Sequence, residues 1–156
     1  MSPIVDRLYR VALKLAYRAV LCWWFVARRP HFGAVTAVWH EGRLLLVRDS
    51  YRGLWSMPGG GIGRGEAPEA AAARELAEET GVVVAPGALR LAGIFENVWE
   101  YRPDTVRVFE TTLVARPALL LDNREIVEAR WVTREEAQSL ALLPHVNDYL
   151  RHGQTG

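Results

Sequence analysis

The sequence is poor in cysteine, since Cys22 is the only one in 156 residues. A single cysteine excludes an intramolecular disulfide framework and is typical of a reducing compartment, so we expect a cytoplasmic protein. Because Cys22 lies in an apolar run, we expect its side chain to be a small part of the hydrophobic core.

An apolar run long enough to cross a bilayer is absent. The longest uncharged run near the N-terminus is residues 19–27, whereas a membrane span needs about 20 residues. No small-x-small cleavage site follows it, which argues against a secretory signal.

Acidic residues are also absent from residues 7–40, where six basic residues occur. Four of these fall on one narrow stripe of a helix that is otherwise apolar: Arg7, Arg10, Lys14 and Arg18. We therefore expect residues 1–30 to form a basic amphipathic helix. Its apolar surface would pack on the rest of the domain, on a second copy in a homodimer, or peripherally on an anionic membrane surface.

Internal repeats and a second-domain linker are absent as well. The length, with 50% hydrophobic and 24% charged residues, indicates one globular core, which we place at residues 31–156. A hairpin is predicted at 34–49, and a helix at about 68–80, between Pro68 and the stop at Gly81. Other predicted strands are 82–85, 89–99, 105–115 and 129–132, and short helices are predicted at 134–140 and 145–150. The pattern is α/β, with a strand-built centre flanked by helices.

The predicted helix at 68–80 gathers three carboxylates, those of Glu75, Glu78 and Glu79, on one face. Like charges three and four residues apart repel each other, and the negative end of the helix dipole disfavours them further. We expect Ala71 and Ala72 to lie among the acids and leave room above them. A divalent cation would turn this repulsion into attraction, and carboxylates without a nearby His or Cys favour Mg²⁺ or Mn²⁺.

The preceding loop has glycines at five of the seven positions 59–65. Glycines let the backbone approach a ligand without side-chain obstruction. The loop matches neither the P-loop nor the G-x-G-x-x-G pattern. We therefore predict a different kind of phosphate site, made of a glycine loop and a metal.

Residues 60–82, GGIGRGEAPEAAAARELAEETGV, resemble the complete box of the Nudix hydrolase family (MutT-like). The matching fixed positions are Gly60, Glu66, Arg74, Glu75, Leu76, Glu78, Glu79, Gly81 and Val82. The resemblance implies an α/β/α sandwich around a mixed sheet, and hydrolysis of a nucleoside diphosphate linked to another moiety.

The resemblance also implies roles for the box residues. Glu78, Glu79 and the Gly60 carbonyl would bind the metal, and Glu66 would support the metal cluster. Glu75 would be a metal ligand or the base that deprotonates the attacking water, oriented by Arg74.

Outside the box, Glu125 is a second candidate for the base. Glu128 and Glu110 are weaker candidates, for which a surface ion pair or a solvent-facing position is the simpler interpretation. Four residues are predicted to contact substrate, by stacking or by binding phosphate: Arg52, Trp55, Trp99 and Tyr101. Tyr51 and Arg102 are further candidates. The histidines are scattered and suggest no metal site.

The substrate stays open at this point. A proline at 97 or 98 would mark an ADP-ribose enzyme of the family, but Asn97 and Val98 stand there, and Tyr101 is out of register for the dinucleoside polyphosphate marker. We favour nucleoside triphosphates, including damaged ones, over ADP-ribose or nucleotide sugars, and keep a non-catalytic nucleotide-sensing module as the alternative. A small nucleotide is the expected partner, and no stable nucleic-acid partner is expected.

Overall fold

The elements of the fold are taken from a computed structural model, which describes residues 3–121 and 123–152. The helices are α1 (Pro3–Ala27), α2 (Pro68–Thr80), α3 (Arg134–Gln138) and α4 (Pro144–His152). The strands are β1 (His31–His40), β2 (Arg43–Asp49), β3 (Trp55–Ser56), β4 (Gly59–Gly61), β5 (Arg90–Trp99), β6 (Arg102–Thr112) and β7 (Ile126–Val132). A 3₁₀ turn, Pro86–Ala88, precedes β5.

The strands form one mixed sheet around β1. Strand β1 runs parallel to β6, with His31 opposite Asp104 and Trp39 opposite Thr112, and antiparallel to β2 and β4. Strands β7 and β3 add to β2, and β5 adds to β6. The predicted hairpin of β1 and β2 is confirmed, whereas residues 82–85 are not a strand.

Side chains of β1 alternate between two packed layers. Ala34 packs with Ala71 and Ala72 of α2, while Val35 on the other face belongs to the cluster that contains Val146 and Leu150 of α4. This alternation follows from the two-residue period of a strand. The predicted α/β/α sandwich with a mixed central sheet is confirmed.

Helix α2 has the predicted bounds. It ends at Gly81, whose φ of 73° is in the left-handed region and whose N–H donates to the Ala77 carbonyl at 2.9 Å. Ala71 and Ala72 are fully buried against the sheet, so the expectation that they lie among the acids is wrong. These small side chains let the helix lie close to β1, where the Thr36 hydroxyl donates to the Ala72 carbonyl at 3.3 Å.

The glycine segment was expected to be a loop, but Gly59–Gly61 pair with β1 as strand β4. A Cβ on Gly59 would lie 2.4 Å from the Ala34 carbonyl oxygen and 2.5 Å from the Val35 Cα. A Cβ at position 59 would clash with the backbone of β1. Glycine at this position therefore allows β4 to pair with β1.

Helix α1 lies against the domain through one face only. Its half-buried positions recur every three or four residues, at Asp6, Arg10, Leu13, Tyr17, Leu21, Trp24 and Ala27, and no described side chain of α1 is fully buried. Cys22 is exposed, so the expectation of a core cysteine is wrong. Within the described residues, no helix is both long enough and apolar enough to cross a membrane.

Candidate active site

A cleft of about 650 Å³ separates the acidic face of α2 from the inner face of α1. Glu75, Glu78 and Glu79 line one side with the three glycines of β4. Leu13, Tyr17 and Trp24 of α1 line it as well, as do several residues of the domain: Arg52, Trp99, Arg102, Glu125, His31 and His145.

The glycines of β4 are in direct contact with the acids of α2. A Cβ on Gly60 would lie 2.7 Å from the Glu75 carboxyl carbon, and the Gly59 N–H donates to the Glu79 carboxylate at 2.9 Å. The contact at Gly60 depends on the missing side chain, because a Cβ there would occupy the place of the Glu75 carboxylate. The structure thus brings Gly60, Glu75 and Glu79 together.

Arg74 binds three carboxylates at once. Its guanidinium donates to Glu66 at 2.9 and 3.1 Å, to Glu75 at 2.8 Å and to Glu78 at 3.1 Å. Glu66 also accepts the Gly63 N–H at 2.8 Å. The hydrogen bond from Arg74, and after it the one from Gly63, lowers the pKa of Glu66. Glu66 therefore connects the glycine segment to α2 through Arg74. The hydrogen bond from Arg74 to Glu75 is the contact by which Arg74 would orient Glu75. That role stays a prediction.

The ionisation of Glu79 is strongly perturbed. Its pKa is raised to about 8, chiefly by burial and also by the nearby carboxylates of Glu75 and Glu125, against the lowering effect of the Gly59 N–H. The carboxylate thus lies where negative charge is unfavourable unless a cation compensates it.

The donor set fits a hard divalent cation. The Gly60 backbone, Glu75 and Glu79 are neighbours in the cleft, Glu78 lines the same wall, and all of them offer oxygen atoms, the ligand type that Mg²⁺ and Mn²⁺ prefer. As the described side chains are oriented, no three acidic, histidine or cysteine residues form a group that could hold a metal ion. Since Arg74 binds the carboxylates of Glu75 and Glu78, ion binding would require those two to change partner.

The predicted substrate residues differ in where they lie. Arg52 and Trp99 line the cleft. The Arg52 Nε donates to the Asp49 carboxylate at 2.7 Å. Tyr101 lines only an adjoining side pocket and packs edge-on against Phe25 of α1.

The prediction that Trp55 contacts substrate needs correction. Its side chain is only 5% exposed and belongs to the main core, with the guanidinium groups of Arg48 and Arg130 over its ring at 5.5 and 4.9 Å. These contacts place Trp55 in the core instead of the cleft.

The acids outside the box separate into two groups. Glu125 lines the cleft, and its carboxylate accepts a long hydrogen bond from Tyr51 at 3.4 Å. Glu128 instead pairs with Arg48 at 2.5 Å and with Arg130 at 2.6 Å. Glu110 binds Arg90 and the Tyr149 hydroxyl. Only Glu125 of these three therefore lies where a base would act.

Sequence reasoning missed two histidines of the cleft. His31 pairs with Asp104 at 2.7 Å, because the parallel register of β1 and β6 sets them opposite each other. His145 meets the Ser56 hydroxyl at 3.1 Å, and burial lowers its pKa to about 4, which keeps it neutral near pH 7. No signal in the sequence pointed to either, since both pairings depend on strand and helix placement.

Comparison with known proteins settles the family. A family model described as the NUDIX domain matches residues 27–152. The chain belongs to the Nudix family. The match covers the whole sheet with α2, α3 and α4 and leaves out all of α1 but its last residue, so the resemblance inferred from residues 60–82 is confirmed.

Relatives within the Nudix family carry names for different activities. The chain is 35% identical over 127 residues to a "Putative 8-oxo-dGTP diphosphatase 3" of Mycobacterium tuberculosis, a match covering 75% of this chain and 54% of that protein. It is 34% identical over 131 residues to an "ADP-ribose pyrophosphatase" of Bacillus subtilis, covering 79% of this chain and 69% of that protein. The chain thus spans about half the length of the Mycobacterium relative.

A solved structure shares the fold. The MutT protein of Methanosarcina mazei Go1 superposes with a TM-score of 0.69 at 26% identity, covering 80% of this chain and 93% of that one. The architecture described above is therefore the Nudix fold, with α1 in addition to the region that the family model matches.

We predict that the acidic face binds Mn²⁺ through Glu79. Paramagnetic resonance of free Mn²⁺ would measure the affinity, which Glu79→Gln should weaken at least about tenfold, because one anionic oxygen donor is lost. Glu69→Gln is the matched control, since Glu69 is an exposed acid in the first turn of the same helix. Equal Mn²⁺ affinity in wild type and Glu79→Gln would contradict the assignment.

Proposed function

We propose that this Nudix protein is a divalent-metal-dependent pyrophosphohydrolase of nucleoside diphosphate derivatives. The observation that carries the proposal is the direct contact between the glycines of β4 and the acids of α2, where Glu75 lies against Gly60 and Glu79 accepts the Gly59 N–H. A nucleotide-binding module without turnover would not need the Glu79 carboxylate at a place where burial makes its negative charge unfavourable.

The residues of the cleft have distinct roles in the proposed reaction. Glu75, Glu78, Glu79 and the Gly60 carbonyl would hold Mg²⁺ or Mn²⁺, which when bound would neutralise the diphosphate and lower the pKa of the attacking water. The water oxygen forms a bond to phosphorus as the anhydride P–O bond breaks, and the proton of the water passes to Glu75 or Glu125. Arg52 and Arg102 face the cleft with positive charge for the phosphate groups.

The proposed substrate class is the nucleoside triphosphates, including damaged ones. The name of the Mycobacterium relative supports this class, and the name of the Bacillus relative supports ADP-ribose as the alternative. The proline that would mark an ADP-ribose enzyme is absent, since Asn97 and Val98 occupy the two positions where it is expected.

A substrate panel tests the proposed reaction. We expect release of phosphate or mononucleotide from one class among nucleoside triphosphates, ADP-ribose, dinucleoside polyphosphates and nucleotide sugars when Mg²⁺ is present. Glu79→Gln should lower kcat by about 10² to 10³, since electrostatic stabilisation of the transition state is lost, and Glu69→Gln should leave it unchanged. Nucleotide binding without turnover in the wild-type protein would instead identify a sensing module.

We also propose that α1 associates with an anionic membrane surface through its outer face, defined as Val5, Leu8, Val11, Leu15, Trp23 and Val26. These side chains are between 46% and 78% exposed. At about 100° per residue, Leu8, Leu15 and Val26 fall almost on one line, and the stripe of Arg7, Arg10, Lys14 and Arg18 runs beside it.

The charge pattern favours a lipid surface over a second copy. An apolar face bordered by basic residues suits anionic headgroups, whereas the same face of a second copy would offer no carboxylate anywhere in residues 7–40. The cytoplasmic location stays a prediction, and this association would place the protein at the inner membrane surface.

Vesicle binding tests the membrane proposal. The full chain should co-sediment with vesicles containing phosphatidylglycerol, less so at high salt. Leu15→Asp should weaken binding about tenfold or more, because burial of an exposed leucine is lost and a charge added. Val114→Asp is the control, as Val114 is fully exposed outside α1. Equal vesicle binding of Leu15→Asp and wild type, or a dimer that Leu15→Asp dissociates, would contradict it.

A further inference from the structure

The inner face of α1 carries aromatic side chains into the cleft. Tyr17 and Trp24 are half-buried and line it together with Leu13, Ala16 and Val20. Helix α1 lies outside the family match save for its last residue, so these residues add to the wall that the rest of the chain provides. The contacts of Tyr17 and Trp24 show whether these side chains only attach α1 to the domain or also complete the site.

Tyr17 contacts residues that face the substrate side of the cleft. Its hydroxyl donates to the Glu100 carboxylate, and its ring packs on that of Tyr51 with centroids 4.9 Å apart. The Arg52 guanidinium lies 6.0 Å from the Tyr17 ring and 4.9 Å from the Tyr51 ring. Tyr17 thus connects α1 to the Arg52 guanidinium, which lines the cleft and is paired with Asp49.

Trp24, two turns further along α1, makes a similar contact with a second arginine. The Arg102 guanidinium stacks on its ring at 3.3 Å from the centroid, and removal from water lowers the pKa of Arg102. Trp99 lines the same cleft, and its buried indole nitrogen has no hydrogen-bond partner among the described residues. A buried donor without a partner is costly, and a ligand with a hydrogen-bond acceptor would satisfy it.

We propose that α1 completes the subsite for the nucleobase of the substrate, with Trp24 as the stacking residue and Tyr17 beside it. This proposal rests on the proposed function for the identity of the ligand. A planar ring with acceptor atoms matches an aromatic wall that also offers the Trp99 N–H. Because the Arg102 guanidinium stacks on the Trp24 ring at 3.3 Å, the base would take its place there and release Arg102 for the phosphate groups, while Arg52 lines the same cleft. Substrate specificity is thereby set in part by a helix that the family match almost wholly leaves out.

Calorimetric titration of the full chain with AMP and with dGMP tests the subsite without any turnover, because neither mononucleotide has an anhydride bond. At least one should bind the wild-type protein. Trp24→Ala should weaken its Kd roughly tenfold to a hundredfold, the range for loss of one base–aromatic stack. Trp24→Phe should restore most of the affinity, because a ring is again present.

The adjacent Trp23 supplies the matched control. Trp23 is 61% exposed on the outer face of α1, so Trp23→Ala removes the same side chain from the same helix without touching the cleft, and Kd should not change. Unchanged affinity in Trp24→Ala, an equal loss in Trp23→Ala, or no binding of either mononucleotide to the wild-type protein would overturn the subsite. A failed substrate panel with intact mononucleotide binding would overturn only the hydrolysis.

Discussion

The close contact between β4 and the acidic face of α2 is the constraint on which the rest of the site depends. Glycine at 59 lets β4 pair with β1 at a distance that leaves no room for a Cβ, and glycine at 60 lets Glu75 lie against the backbone. Small residues on the other side of α2 bring the helix close enough to the sheet for Glu79 to accept the Gly59 N–H. The fold therefore holds carboxylates together that would separate in water.

The opposite wall of the cleft is formed by a helix none of whose described side chains is fully buried. Helix α1 is attached through rings and ion pairs, such as Phe25 with Tyr101 and Asp6 with Arg124 at 3.3 Å, and its other half faces outward. The cleft thus has an acidic wall within the domain and an aromatic wall that the N-terminal helix supplies. The first wall carries the proposed chemistry, and the second is suited to recognise the group attached to the diphosphate.

The acidic wall could be predicted from the sequence because its determinants are local. The period of α2, its stop at Gly81 and the spacing from Gly60 to Val82 all lie within 23 residues, and the structure has α2 at the predicted bounds. The aromatic wall could not be predicted, since Tyr17 and Glu100 are 83 residues apart. Helix α1 is apolar on more than one side, so its sequence does not show which face packs on the domain. For this reason Cys22 was expected in the core, although it is exposed. Trp55 was misplaced because an aromatic residue beside a glycine loop can equally belong to the core.

By our account the carboxylate of Glu79 is unfavourable by itself and favourable beside a cation. Thermal unfolding of wild type and Glu79→Gln, each in EDTA and in Mg²⁺, tests it most directly. At a pH above about 8, where Glu79 is ionised, we expect Mg²⁺ to raise the Tm of the wild type. We also expect Glu79→Gln to have the higher Tm in EDTA, because a charge removed from water is gone, and to lose most of the rise with Mg²⁺. A wild-type Tm that does not respond to Mg²⁺, together with a lower Tm for Glu79→Gln in EDTA, would contradict it.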